Sequence, residues 1–211
     1  MGSRIMHLII AKMVSEKLGI PNTQNFLLGG IAPDATLTRD RKNISHFYEG
    51  KLDDDTRCVN YKKFIEKYHE VIQNEFLLGY LTHLISDDVW MKNIYYKNNF
   101  KNRLDKDPSL LERWHNDFRK LNGKLIEEFK CGDLKDKLHE SNLQLNDVCE
   151  IISGDLKSFR EETLNDFIYT KEDLEKELQV YNLNEIINYI DTASTAAYEV
   201  CSAIIIQRKL Q

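Results

Sequence analysis

The chain is short of glycine and proline. Only 9 Gly and 3 Pro occur in 211 residues, which argues against a sheet of short strands joined by tight turns and suits long helices. It has no paired-cysteine motif. Cys58, Cys131, Cys149 and Cys201 are scattered, without a CxxC, so neither a Cys-rich zinc site nor a disulfide framework is indicated, and buried, reduced thiols are expected. Positive charge is not in excess. A net charge of −5 gives no bulk attraction for nucleic acid, and no nucleic-acid partner is expected. No apolar run reaches the ~18–20 residues that span a bilayer, so no transmembrane anchor is expected. The stretch Met1-Gly-Ser-Arg-Ile-Met-His7 opens directly into an amphipathic pattern rather than an apolar signal segment, which points to a cytoplasmic protein.

What is present is helical. Hydrophobic residues make up 42% and charged residues 30%, a balance that suits one ordinary globular domain. Helices are expected at about 3–18, 23–28, 59–69, 72–100, 107–129, 144–152, 156–167, 171–180 and 183–209. Gly29-Gly30-Ile-Ala-Pro-Asp34-Ala35 reads as a tight turn, and Thr36 to about Asp55 as a polar loop. No alternating strand pattern competes. The expected fold is a single all-α domain, a multi-helix bundle over residues 1–211.

The stretch Phe76-Leu-Leu-Gly-Tyr-Leu-Thr-His-Leu-Ile-Ser-Asp-Asp-Val-Trp90 is apolar nearly all the way round, as a buried helix is. His83 and Asp87 stand in it four residues apart, which places them on one face. A buried carboxylate needs a partner, and a divalent cation answers that need with the imidazole as a second ligand. His7 lies on the first helix at offsets of three, four, seven and eleven from Ile10, Ala11, Val14 and Leu18, so its ring points with the apolar face. Asp34 follows Pro33 in the glycine-flanked turn. His46 stands beside Phe47 and Tyr48, which draw it against the core. Each of these three has an ordinary alternative: a hydrogen-bonded core histidine, a turn aspartate, a solvated loop histidine. Together with His83 and Asp87 they make three imidazoles and two carboxylates in the first 87 residues. Nitrogen and oxygen ligands without thiolate suit zinc, manganese or iron, and five exceed what one open zinc takes, so a two-metal cluster with Asp87 bridging is the better fit.

Met6-His7, Gly30-Ile-Ala-Pro-Asp34, Ser45-His46-Phe47 and Gly79-Tyr-Leu-Thr-His83-Leu-Ile-Ser-Asp87 resemble, in order and rough spacing, the zinc-dependent phospholipase C family. That superfamily also includes fungal single-strand nucleases, and the likeness is greatest to short bacterial hydrolase-type members. It covers roughly the first 90 residues. The resemblance implies a helical bundle that hydrolyses phosphate esters at clustered zinc ions. By position it implies that His46, His83 and Asp87 hold one metal, and that His7 and Asp34 help hold a second with Asp87 shared. A third zinc, held in the secreted members by two more histidines and a glutamate, has no counterpart where this chain reads Asp88-Val-Trp-Met-Lys92.

The expected function is therefore a phospholipase C-like, metal-dependent hydrolase of phosphate esters, using water activated by two zinc ions, with manganese or iron as alternatives. Asp34 and Asp87 are the candidates to orient that water. The substrate is a small-molecule or lipid phosphate ester. An HD-type nucleotide phosphohydrolase is the alternative enzyme, although no adjacent His-Asp pair is present. A helical domain with a structural or lost metal is the non-enzyme alternative. Trp90, Met91, Ile94, Tyr95, Tyr96 and Phe100 are read as core rather than as a substrate lip, with Lys92, Lys97 and Lys101 snorkelling. Asp191 is either an extra ligand or a helix-boundary residue.

Overall fold

The computed structural model describes residues 2–52, 54–142 and 148–209. They form an all-α fold with one two-residue ladder. Helix α1 is Arg4–Leu18, α2 Thr23–Ile31, α3 Arg39–Ser45, α4 Tyr61–Lys67 and α5 Glu75–Trp90. A π-helical turn, Met91–Tyr96, extends α5 towards α6 (Phe100–Lys106). Then come α7 (Leu110–Glu128), α8 (Leu134–His139), α9 (Ser153–Asn165), α10 (Lys171–Glu175) and α11 (Leu183–Lys209). The ladder pairs β1 (Tyr48–Glu49) with β2 (Cys58–Val59), antiparallel.

The first helix is built as its sequence dictates. Ser3 caps it, accepting from the Met6 amide, and Gly19 ends it in the left-handed region at φ 66°, a conformation glycine reaches without steric cost. Helix α5 is the axis of the molecule and packs against α2, α11 and α1. Nearly every side chain on it is buried, from Phe76 to Trp90. The α2–α5 crossing is the tightest contact. A Cβ on Gly79 would fall 2.0 Å from the Phe26 carbonyl oxygen, and one on Gly29 would fall 2.0 Å from the Phe76 carbonyl oxygen. The two backbones therefore touch, and only glycine fits at either position.

Several expectations change. Gly29 and Gly30 are the last turn of α2 rather than a turn between elements; the bend follows in a 3₁₀ turn, Ala32–Asp34. The polar stretch after Thr36 contains α3, capped by Thr38. Val59 is in β2, and α4 starts at Tyr61. The expected helix 72–100 is α5 plus the π-helical turn. Of the expected helix 144–152, residues 144–147 lie outside the described residues, and 148–152 are not helical. The aromatic run after Asp87 is core as expected: Trp90, Met91, Ile94, Tyr95 and Phe100 are buried. All four cysteines are free, but only Cys131 and Cys201 are buried; Cys149 is exposed.

Beyond α6 the chain is held by buried carboxylates. Asp117, on the buried face of α7, accepts the backbone N–H groups of Gln179, Val180 and Tyr181 at 2.8, 2.7 and 3.2 Å. These three amides precede α11 and have no strand to pair with, so the carboxylate takes the place of a ladder. Glu150 likewise receives Lys67 and the Tyr68 hydroxyl.

Candidate metal centre

All five sequence-predicted ligands converge. His7 comes from α1, Asp34 from the 3₁₀ turn after α2, His46 from the C-terminal cap of α3, and His83 and Asp87 from α5. The His46 and His83 Nε2 atoms are 3.3 Å apart. His46 Nε2 is 3.3 Å from Asp34 Oδ1 and 3.5 Å from Asp87 Oδ2. His83 Nε2 is 3.9 Å from Asp87 Oδ2, and His7 Nε2 is 3.5 Å from Asp87 Oδ1. The His7 and His83 rings stack at 3.8 Å. The three histidines and Asp87 are buried; the Asp34 side chain is 11% exposed.

The far nitrogen of each ring fixes its tautomer. His83 Nδ1 lies 2.8 Å from the Gly30 carbonyl oxygen, and His46 Nδ1 lies 2.9 Å from that of Lys42. A carbonyl has no proton to give, so both Nδ1 atoms carry one. Ser86 Oγ donates to the His83 carbonyl at 2.8 Å, so it accepts from His7 Nδ1 at 3.0 Å. Each Nε2 therefore presents a lone pair to the centre. His46 and His83 aim theirs at each other, and His7 Nε2 is a buried atom without a hydrogen-bond partner. Two ionised carboxylates face the same space. Tyr48 and Lys42 each serve one carboxylate; lone pairs set beside those anions repel them, which a further cation among them would relieve.

The spacing agrees. Two nitrogens bound to one zinc at ~2.0–2.1 Å and at the tetrahedral angle lie ~3.3 Å apart. The residues present thus fit divalent metal, with the imidazoles oriented by carbonyl and hydroxyl partners as metal-binding histidines usually are. The ligand atoms fall into two groups, His7 with His83 and Asp87, and Asp34 with His46 and His83, all within 4.8 Å inside each group. The resemblance puts His7 with Asp34; in the structure Asp34 lies against His46. Asp87 sends one oxygen towards His7 and the other towards His46 and His83.

The surroundings tune the charges. Burial, opposed by Asp34 and Asp87, lowers His83 to about 4, so it is neutral at pH 7 and ready to ligate. Burial, reinforced by His83, lowers His7 as well. Burial alone would raise Asp34, but Lys42, 2.7 Å from Oδ1, holds it well below the usual carboxylate range. Burial alone would raise Asp87, but opposing charge, the N-terminal ammonium first, holds it well below the usual carboxylate range. The Tyr48 hydroxyl donates to Asp87 Oδ2 at 3.1 Å, and its ring stacks on His46 and lies under the Arg57 guanidinium.

The lowered His83 value has a consequence for the metal-free protein. A folded-state pKa below the unfolded ~6.5 means that the unfolded chain binds more protons in between. The stabilisation is full above pH 6.5 and is lost as pH falls towards 4. Thermal melts of metal-free protein should show a midpoint that drops over this window, and His83→Gln should flatten the drop; a midpoint independent of pH there would contradict the burial of a neutral imidazole.

Asp191, open as an extra ligand in the sequence, is exposed, as are His69, His115 and His139. Arg41 is engaged by Asp155 at 3.3 Å. Sequence reasoning missed Ser86, Tyr48 and the Gly30 carbonyl as partners of the cluster. Ser86 carried a signal, since it precedes Asp87 within an apolar helix. A cleft of about 270 Å³ opens beside Asp34 and Lys42. A larger one, about 600 Å³, lies at the start of α11 and includes none of the five ligands, so size alone does not mark the site. No helix among the described residues is long and apolar enough to cross a membrane. Comparison with family models, with curated proteins and with solved structures finds no match.

Proposed function

We propose that this protein is a metal-dependent hydrolase of phosphate esters, phospholipase C-like in its ligand set, with two divalent ions, zinc first, held by His7, Asp34, His46, His83 and Asp87. The observation that carries this reading is the convergence of three imidazole Nε2 atoms and two carboxylates in two groups whose ligand atoms lie within 4.8 Å of one another. When bound, paired cations supply Lewis acidity to a phosphoryl oxygen and lower the pKa of water to about 7. Asp34 is the carboxylate on the cleft, and it accepts a hydrogen bond from the attacking water. Asp87 is fully buried, is positioned by Tyr48, and would join the imidazoles in holding the metal. Lys42, 41% exposed and on the cleft, offers its ammonium to the phosphoryl group. A P–O bond to the water oxygen forms, the P–O bond to the leaving group breaks, and a water proton ends on the leaving oxygen.

The test is hydrolysis of aryl phosphate mono- and diesters by metal-loaded protein. Turnover should be abolished by chelator and restored by zinc or manganese. The rate should rise with pH through the ionisation of activated water and then level off. His46→Ala should lower turnover by more than the ~10–100-fold that loss of an outer hydrogen-bond partner costs. Helical content should stay nearly intact, because His46 caps the short α3 and lies outside α1, α2, α5 and α11. If no ester turns over above the His46→Ala background, the hydrolase reading yields to a structural metal in a non-enzymatic domain.

A further inference from the structure

The 270 Å³ cleft beside Asp34 holds more positive charge than it neutralises. Arg4, Lys42 and Arg119 line it, and among the described residues its carboxylates are Asp34 and Asp166. Both carboxylates are already engaged. Asp166 takes the Arg4 guanidinium through two nitrogens at 2.6 and 3.0 Å, and Asp34 takes the Lys42 ammonium at 2.7 Å. Glu162 at 3.3 Å and the Phe159 ring at 5.3 Å hold Arg4 further in place.

Arg119 is the charge left over. It is exposed, and its hydrogen-bond partner is the neutral Asn116 Oδ1 at 2.8 Å; it has no carboxylate partner among the described residues. The positions three and four away on α7, which share its face, are His115, Asn116, Asn122 and Gly123, and none is acidic. The surplus runs against the bulk of the chain, whose net charge is −5. It is also absent from the larger cleft at the start of α11, which one lysine, one glutamate and four asparagines help to line. With Asp34 given to divalent metal, Lys42 loses its counter-charge as well, and the imbalance beside the metal centre grows.

We propose that this cleft selects a small phosphate ester that carries a second anionic group, a carboxylate or another phosphate, and that Arg119 is the residue that recognises it. This rests on the hydrolase reading for the scissile phosphate and on the charge of the cleft for the second anion. A guanidinium presents a rigid fork of N–H donors that matches the paired oxygens of either group. A neutral ester leaves the surplus charge unanswered, and an ester bearing an amine is repelled by it.

The experiment uses four three-carbon esters on zinc-loaded protein: propyl phosphate, 3-phosphooxypropanoate, propane-1,3-diyl bisphosphate and 3-aminopropyl phosphate. The esters are assayed for turnover. Their phosphonate counterparts, which cannot be hydrolysed, are assayed for binding by calorimetry. Wild type should favour a doubly anionic compound over the neutral one ~10-fold, in kcat/KM and in Kd, and should handle the amine worst. The carboxylate or the bisphosphate, whichever gains more, names the second anion. Raised salt should shrink the preference. Arg119→Gln should lose it, with metal content and melting midpoint unaltered because the side chain is exposed, and Arg119→Lys should keep part of it. Equal treatment of neutral and doubly anionic compounds by wild type, a preference for the amine, or an undiminished preference in Arg119→Gln overturns the proposal. Arg119-dependent binding of the phosphonates without turnover of any ester supports the anion site and sinks the hydrolase reading. Turnover indifferent both to the second charge and to Arg119 does the reverse.

Discussion

Gly79→Ala is expected, with Gly29→Ala, to be among the most damaging glycine-to-alanine changes. The added Cβ would sit 2.0 Å from the backbone oxygen of Phe26, and no side-chain rotation relieves a clash with backbone. Helices α2 and α5 must separate or tilt. Overpacking in a core costs about 1–3 kcal/mol, occasionally more, and here the upper end applies because backbone meets backbone. For a domain of this size ~3 kcal/mol lowers the melting midpoint by roughly 6–12 °C. The damage should reach the metal centre too, since the crossing brings the Gly30 carbonyl to His83 Nδ1 at 2.8 Å. Metal affinity should therefore fall although no ligand is altered. Gly154→Ala is the control: its Cβ meets nothing within 4 Å and it lies in α9, so the midpoint should hold or rise slightly. Equal melting of Gly79→Ala and wild type would mean that the two helices do not meet as described.

The second large effect is expected from the ligands of α5. Asp87→Asn keeps the shape of the side chain and removes its charge. One of its oxygens serves His7 and the other His46 and His83, so both metal positions weaken, by more than ~100-fold. Stability follows metal. A ligand at 1,000 times its Kd stabilises the folded state by about 4.1 kcal/mol, and this increment should be present in wild type and missing in Asp87→Asn. His83→Ala should lose the metal and also leave a cavity against the stacked His7 ring, so its metal-free form melts lower as well. His115→Ala and His139→Ala, both exposed, should change neither property. Metal titrations followed by thermal melts distinguish these outcomes, and equal loss in all four variants would mean that the site is misplaced.

Why the candidate ligands were legible and their setting was not follows from where each signal resides. His83 and Asp87 stand out because a charged pair at helical spacing violates an otherwise apolar helix; the violation is local and visible in the chain. His7 is betrayed by its place on an apolar face, and Asp34 by the turn it ends. The tautomers, in contrast, depend on the carbonyls of Gly30 and Lys42, which carry no side-chain signature and acquire their role only when α2, α3 and α5 meet. Gly29 and Gly30 suggest a turn because glycine usually ends helices. Here they lie inside one because Gly29 lets α5 come close and Gly30 makes room for Ala11 of α1. Helix α3 has almost no apolar periodicity in Arg-Asp-Arg-Lys-Asn-Ile-Ser. It is held from outside, by the Thr38 cap, the Arg41–Asp155 pair, and the Ser45 hydroxyl, which donates to the Pro33 carbonyl at 2.7 Å. The Tyr80 hydroxyl donates to the Ser45 carbonyl at 2.7 Å and ties the end of α3 to α5, so His46 is placed by tertiary contacts that no local pattern announces.

The most direct test of the central claim is elemental analysis of protein purified without chelator, repeated after stripping and reconstitution with zinc. The account predicts two divalent ions per chain, removed by chelator and regained on reconstitution. A protein that is isolated without metal, takes up none, and melts at the same temperature with and without zinc would contradict it.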